Sequence, residues 1–473
     1  MLSDELKKIV ERIIADKCEG QTLEVKAAHS GCPKLYDTLS SFSNQSDGGL
    51  IVLGIDEEHG FLPVGVYDVQ DLLHKAEAQC AQMEPEVRAV FSTCEVAGKS
   101  FVGIEVPSVE AHRRPVYYKG AGMWRGSYVR TGGSDKLMSE YEIYAFEAYR
   151  KHIRDDIRPT DMPLDALDRK ALDAYLSDVR RGRPNTGNIS DDALLSLMGL
   201  VKDGRPTLSA VMCFSAYPQA VYPQLCVTAV LVPGTEMGET ADDGTRFLAN
   251  RRIEGTIPQM IEGAVDFVAM NMRERVAFAD GKRIDRPEYP LTAVREAVVN
   301  ALVHRDYSVY TEGMPVRIEM YKDRLEITNP GGMYGAIDID ELGRVHSDTR
   351  NKTLISVLET ERVVENRYSG IPTIRRELKA NGLPEPRFTD RRGLFKVTFF
   401  SAPSAGTDGD IRTRLLAFCE QPRSRDEIGA FIGKNKYYVM SYIVAPMIAE
   451  GVLAYTLPDK PRSHAQRIYT VKE

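Results

Sequence analysis

At 473 residues, 43% of them hydrophobic and 27% charged, the chain can bury several cores, and roughly 100 to 200 residues per domain points to three or four units. No run approaches the roughly 18 apolar residues that a membrane span needs, and the opening Met1-Leu2-Ser3-Asp4-Glu5 lacks the basic start and apolar run of a secretion signal. No membrane partner is therefore expected, and the cytoplasm is the default location.

The seven cysteines are scattered, odd in number and without a C-x-x-C pair, which argues for reduced thiols rather than zinc or disulfides. The net charge of -7 hides an uneven distribution. Residues 411–473 carry ten Lys/Arg against six Asp/Glu, net +4, and the remainder stands at -11. An acidic total thus leaves a nucleic-acid partner open, because binding depends on local patches.

In chain order, Leu6, Ile9, Val10 and Ile13 recur at helical spacing, so an amphipathic helix opens the chain with Ser3 or Asp4 as its cap. A strand over 23–27, a helix near 34–43, the apolar run 50–55, a helix near 69–83 and a hairpin at Gly98-Lys99 follow, giving a mixed α+β domain over 1–150. Residues 151–190, polar and ending in a turn-rich Arg/Gly/Pro stretch, read as a linker or helical segment. The 191–401 region holds helices near 191–198 and 257–272, a strand over 225–232, a long apolar helix from Leu291 to His304, and strands over 316–320 and 325–328. A Ser/Gly/Pro-rich connection at 401–409 leads to a tail over 410–473.

Within the apolar helix, Glu296, Asn300 and His304 stand at i, i+4 and i+8, hence on one face. Burying an acid, an amide and an imidazole unpartnered costs on the order of 1 to 3 kcal/mol each. Two explanations stand: an internal hydrogen-bond network with Arg305 and Asp306, or a pocket for a polar ligand.

At the other end of the chain, Glu24 and Lys26 share one face of a strand, where an acid and a base can meet a phosphate or a metal, or simply form a surface ion pair. Arg113-Arg114-Pro-Val-Tyr-Tyr118 and Gly126-Ser-Tyr-Val-Arg130 supply groups suited to phosphate contact and base stacking, with an exposed basic loop as the plain alternative. In the tail, a helix over 411–418 is followed by the capping box Ser424-Arg-Asp-Glu427, a helix over 435–450 closed by Gly451, and two strands flanking a basic turn. Helix, helix, helix, hairpin is the order of a winged helix. Its third helix, with Lys436 and Tyr437 near the start, would enter a DNA groove, and Lys460, Arg462 and Arg467 would contact phosphates. Pro446 inside that helix is awkward, and protein contact is the other use of such a module.

These segments resemble known families. Arg295-Glu-Ala-Val-Val-Asn-Ala-Leu-Val-His-Arg-Asp-Tyr-Ser308 with Asp323-Arg-Leu-Glu-Ile-Thr-Asn-Pro-Gly-Gly332 looks like a divergent GHKL-type ATPase domain, core about 290–400. The resemblance implies ATP and magnesium as ligands, with Glu296 polarising water, Asn300 holding magnesium, and His304, Asn329, Gly331, Gly332 and Gly370 lining the nucleotide. Two departures stand out: Asn329 replaces the Asp that recognises adenine, and the second glycine box is reduced to Tyr368-Ser-Gly-Ile-Pro372.

Glu19-Gly-Gln-Thr-Leu-Glu24-Val-Lys26, then Leu39-Ser-Ser-Phe-Ser-Asn44, then Gly48-Gly49 to Asp56, resembles the AlbA-like domain shared with Schlafen proteins. By that resemblance Glu19, Glu24 and Asp56 match an acidic trio that binds a divalent cation in Schlafen nucleases, and Lys26, Arg113, Arg114 and Arg130 would touch nucleic acid. The expected fold is therefore α+β and multidomain: AlbA-like, GHKL-like α/β sandwich, winged helix. The expected function is a DNA-binding transcriptional regulator with a nucleotide-type pocket; a metal-dependent nuclease or weak ATPase is the alternative. Whether the chain is an enzyme, and whether it forms a homo-oligomer, stays open.

Overall fold

In a computed structural model the described residues are 2–279, 282–335, 339–345, 348–364, 369–401, 408–432, 436–458, 460, 463 and 466–471. They separate into two units, one of residues 1–154 with 334–338, the other of 155–333 with 339–473. Mixed helices and sheets run through both, so the chain is α+β and multidomain.

The first unit is built on a four-stranded sheet in the order Leu23–Lys26, Gly49–Leu53, Lys99–Val106, Val90–Val96, with the first pair parallel and the others antiparallel. Successive side chains of a strand face opposite ways, and the central strand uses both faces. Val52 packs with Leu6, Val10 and Ile13 of the Ser3–Asp16 helix. Ile51 and Leu53 pack with Leu39, Phe42, Leu72 and Ala76 of the Tyr36–Asn44 and Val69–Ala81 helices. The opening helix starts one residue earlier than expected: Leu2 is its cap, its backbone N–H donating to Glu5 Oε2 at 2.9 Å. Ser3 does not cap, because its hydroxyl donates instead to the Thr93 carbonyl at 2.7 Å.

The second unit is organised by a six-stranded sheet, ordered Ala249–Ile253, Val227–Leu231, Val316–Met320, Arg324–Pro330, Leu394–Phe400, Arg387–Arg391. Only Val227–Leu231 and Val316–Met320 run parallel. Its apolar face, with Ala229, Ile318, Ile327 and Phe399, packs on the Ile257–Asn271, Leu291–Val303 and Gly370–Ala380 helices. The stretch read as a linker or helical segment joins this core: Arg169–Gly182 is helical, capped by Asp168, and buries Leu172, Tyr175, Leu176 and Val179. Its apolar residues at i, i+3, i+4 and i+7 make a stripe that the polar composition masked.

The tail has helices Asp408–Phe418 and Arg425–Ile432, a third helical stretch from Lys436 to Ala449, and a small sheet ordered Arg423–Ser424, Arg467–Thr470, Leu453–Tyr455. Glu427 N–H donates to Ser424 Oγ at 3.2 Å and Ser424 N–H to Glu427 Oε2 at 2.8 Å, so the capping box forms. The expected single third helix is divided. Val439–Val444 is a π-helical turn, and Pro446 falls in the first turn of Ala445–Ala449, where a missing backbone donor costs little.

Candidate functional site

The Leu291–Val303 helix presents Ala293, Val294, Ala297, Val298, Ala301 and Leu302 to the core, all buried. Glu296 and Asn300 are half-buried, and His304, its C-cap, is exposed as a residue although protein surrounds its ring. Asn300 Nδ2 donates to Glu296 Oε1 at 3.2 Å. The Asn300 side-chain oxygen has no partner among the described residues. Protein crowding around the His304 ring, with the Arg350 guanidinium second, pushes its pKa down to about 4, so the imidazole is neutral at pH 7.

Glycine 370 backs directly onto this stripe. A Cβ there would lie 2.4 Å from Glu296 Oε1 and 3.1 Å from Asn300 Nδ2, so any side chain would displace the polar pair. On the neighbouring turn Gly331 holds φ +99°, a conformation that L residues rarely adopt, and a Cβ would lie 2.7 Å from the Asp306 backbone nitrogen. Gly332 lies against Asp390, whose Oδ2 accepts the Met333 N–H at 2.7 Å. Burial raises the Asp390 carboxyl above its usual range, and that N–H and Arg350 work against the rise. Arg350 ties the turn together, bonding Asp306 Oδ2 at 2.8 Å and the Gly332 carbonyl at 2.9 Å. The side chain of Asn329 is buried, donating to the Pro330 carbonyl at 3.3 Å.

Arg305 and Asp306, the partners that an internal network would need, are committed elsewhere. Arg305 donates to the carbonyls of Asp306, Thr311 and Met314, and Asp306 Oδ1 accepts the Ser308 N–H at 2.8 Å. Arg350 lies near His304 and Asp390 beside the glycine turn, yet nothing in the sequence near either residue marks them; the fold brings them there.

The acidic pattern of the first unit has a different arrangement. Arg130, expected on a nucleic-acid surface, has a side chain only 1% exposed. Its Nη1 lies 2.7 Å from Glu24 Oε2 and 3.0 Å from Asp135 Oδ1, its Nη2 3.8 Å from Glu19 Oε2. The same Nη2 donates to the carbonyls of Gly20 and Leu23. Asp135 also accepts the hydroxyls of Thr38 and Ser41. Glu19 Oε1 takes the Val25 N–H at 2.6 Å. Burial, with Glu24 and Glu57 adding repulsion, pushes Glu19 up to about 7 against that hydrogen bond and Arg130.

Asp56 pairs with His59 at 2.8 Å, which holds its carboxyl below the usual range. Among the described residues no three His, Cys, Asp or Glu side chains are grouped to hold a metal ion. The acids of this centre meet a guanidinium. A cation would have to displace it.

Of the other basic residues, Lys26 pairs with Glu24 at 2.8 Å and Arg114 spends its guanidinium on the Val109 and Gln45 carbonyls and Ser108. Arg113 is exposed, 3.7 Å from Glu110. Tyr118 stacks on Tyr36 at 3.8 Å between ring centroids. In the tail Lys436 pairs with Asp426, Arg467 lies 3.4 Å from Glu427, and Lys460 is exposed. The Tyr437 side chain and Arg462 lie outside the described residues. No described helix is long and apolar enough to cross a membrane.

A sheet covered on both faces by helices, carrying an acid–arginine centre, and a second sheet with a polar stripe opposite a glycine turn define a two-module chain. Residues 19–139 match the family model "Schlafen, AlbA_2", and residues 313–399 match "Putative ATP-dependent DNA helicase recG C-terminal", an HATPase-type model. One stretch of the chain is thus similar to a Schlafen AlbA_2 domain and another to an ATPase-type domain. Among solved structures it is similar to the DIP2311 protein of Corynebacterium diphtheriae, 17% identical over 93% of this chain and 92% of that one, with a TM-score of 0.40. It is also similar to the N-terminal domain of a RecG-related protein from Nitrosomonas europaea, 27% identical over 28% of this chain and 92% of that one, TM-score 0.23. Neither superposition is close enough to carry an argument. No curated protein matches the chain.

Proposed function

We propose that this protein is a nucleic-acid-binding regulator, acting on transcription, whose recess beside Glu296, Asn300 and His304 takes a nucleotide. One observation carries the reading. On a helix that buries Ala293, Val294, Ala297, Val298, Ala301 and Leu302, Glu296 and Asn300 stay half-buried against Gly370, whose Cβ would collide with both. Backbone N–H groups of a glycine turn suit phosphate oxygens.

The donors fit magnesium and ATP. Asn300 offers a carbonyl oxygen with no partner among the described residues and Glu296 a carboxylate, and magnesium usually takes one or two protein oxygens with phosphate and water completing its shell. When bound, the ion would neutralise phosphate charge. Neutral His304 would donate to or accept from the ligand without a charge change near pH 7. Arg350 holds the turn in place through Asp306 and Gly332, and Asp390, against Gly332, would be the carboxylate to meet a base amino group where Asn329 is buried.

The tail supports the nucleic-acid half of the reading: its helices, divided third helix and small sheet suit a winged helix, and its net charge is positive. The first unit supports binding over cleavage, because Arg130 neutralises the acids that a metal would need. Calorimetry with ATP and magnesium tests the recess, with binding expected in the wild type and lost in Asn300→Ala. Duplex DNA binding should weaken steeply with salt and fall when Lys460, Arg462 and Arg467 are neutralised together. An unchanged affinity in either variant removes that half.

A further inference from the structure

The six-stranded sheet has a second face, and strand alternation makes it polar. Where Ile318, Ile327, Val397 and Phe399 turn to the core, the intervening residues line a groove of about 350 Å³ on the opposite side. The register sets four of them in one row across adjacent strands: Arg317 opposite Thr328, Thr328 opposite Lys396, Lys396 opposite Thr389. Adjacent strands lie about 4.8 Å apart, so the row alternates cation and hydroxyl at a short, regular spacing. Each member can donate a hydrogen bond.

Two further observations single out this row. Thr328 is 3% exposed and its hydroxyl has no hydrogen-bond partner among the described residues, although it lines the groove. A buried donor of that kind is costly unless something accepts from it. The groove also holds more positive charge than its carboxylates cancel. Burial works against the charge of Glu326, yet Arg324 at 2.7 Å and Lys396 at 2.8 Å hold its carboxyl below the usual range. Burial raises Glu319, with Arg317 3.7 Å away. Arg391, at the rim, is exposed and has no partner among the described residues.

We propose that this row is a second site, on the sheet face away from the polar stripe, for a phosphate-bearing ligand. Thr328 and Thr389 would donate to phosphate oxygens and Arg317, Lys396 and Arg391 would supply the charge. A volume near 350 Å³ suits a phosphorylated small molecule or a few units of a phosphodiester strand. The recess could fail as a nucleotide site and this one still stand.

Two probes separate the two ligand sources: inorganic pyrophosphate and a short single-stranded oligonucleotide, each titrated in magnesium-free buffer into the full chain carrying Asn300→Ala, so that the recess does not contribute. Thr328→Val and Arg391→Glu are then added singly. Thr328→Val removes an unpartnered hydroxyl while keeping the side-chain shape, so the unliganded melting temperature should hold or rise while affinity for the bound probe falls about tenfold. Arg391→Glu, at an exposed position, should lower affinity by a similar factor and leave folding unchanged. Loss for the oligonucleotide identifies a nucleic-acid strand as the ligand source, and loss for pyrophosphate alone identifies a small phosphorylated compound. If neither probe binds, or if both variants bind as tightly as their parent, the proposal is overturned.

Discussion

The acid–arginine centre of the first unit and the polar stripe of the second each gather ionisable groups against an apolar core, and they resolve the cost of burial in opposite ways. In the first, Arg130 closes on Glu24, Asp135 and Glu19 and leaves almost none of itself to solvent. In the second, Glu296 and Asn300 stay half-buried, with the backbone of Gly370 packed against them.

Breaking the sealed centre should give the largest effect. Arg130→Met leaves Asp135 buried without its cation and Glu24 with Lys26 alone, a loss of roughly 3 to 5 kcal/mol that chemical denaturation would register. A loss under about 1 kcal/mol would mean that the acids are already solvated. On the second unit, Gly370→Val should leave the fold largely intact and lower nucleotide affinity by about a hundredfold, because its side chain would push Glu296 and Asn300 aside. Unchanged calorimetry would place the ligand elsewhere.

Arg350→Met probes the link between stripe and turn. Part of the downward push on His304 comes from Arg350, so its imidazole pKa should rise from about 4, readable by NMR titration. No movement would mean that crowding alone sets it.

The smallest effect belongs to Glu19. Its folded pKa, about 7, exceeds the ordinary carboxylate value, so the folded state binds the extra proton and loses stability as pH climbs towards 7. Glu19→Gln should be near neutral at pH 5 and stabilising by about 1 kcal/mol at pH 8, discounted for screening by solvent. Destabilisation at pH 8 would show that the ionised Glu19 is favoured by Arg130.

Periodicity carried much of the fold. The Leu291–Val303 helix, the Val316–Met320 strand and the Ser424 capping box stand where spacing puts them, because each depends on residues within a few positions. The stripe was legible for the same reason: i, i+4, i+8 is a local property. What escaped is long-range. Arg130 read as a surface contact because its partners Glu19 and Glu24 are more than 100 positions away, and only the fold brings them together. Arg350 and Asp390 gave no local signal at all, and the donor row of the outer sheet face depends on cross-strand register, which a single sequence does not display.

Hydrogen exchange with and without ATP and magnesium reads the central claim directly. Amides around 300–304, 331–333 and 369–372 should gain protection together, with the Arg130 centre unchanged. Protection absent from all three segments, or confined to the first unit, would contradict a nucleotide recess beside the stripe.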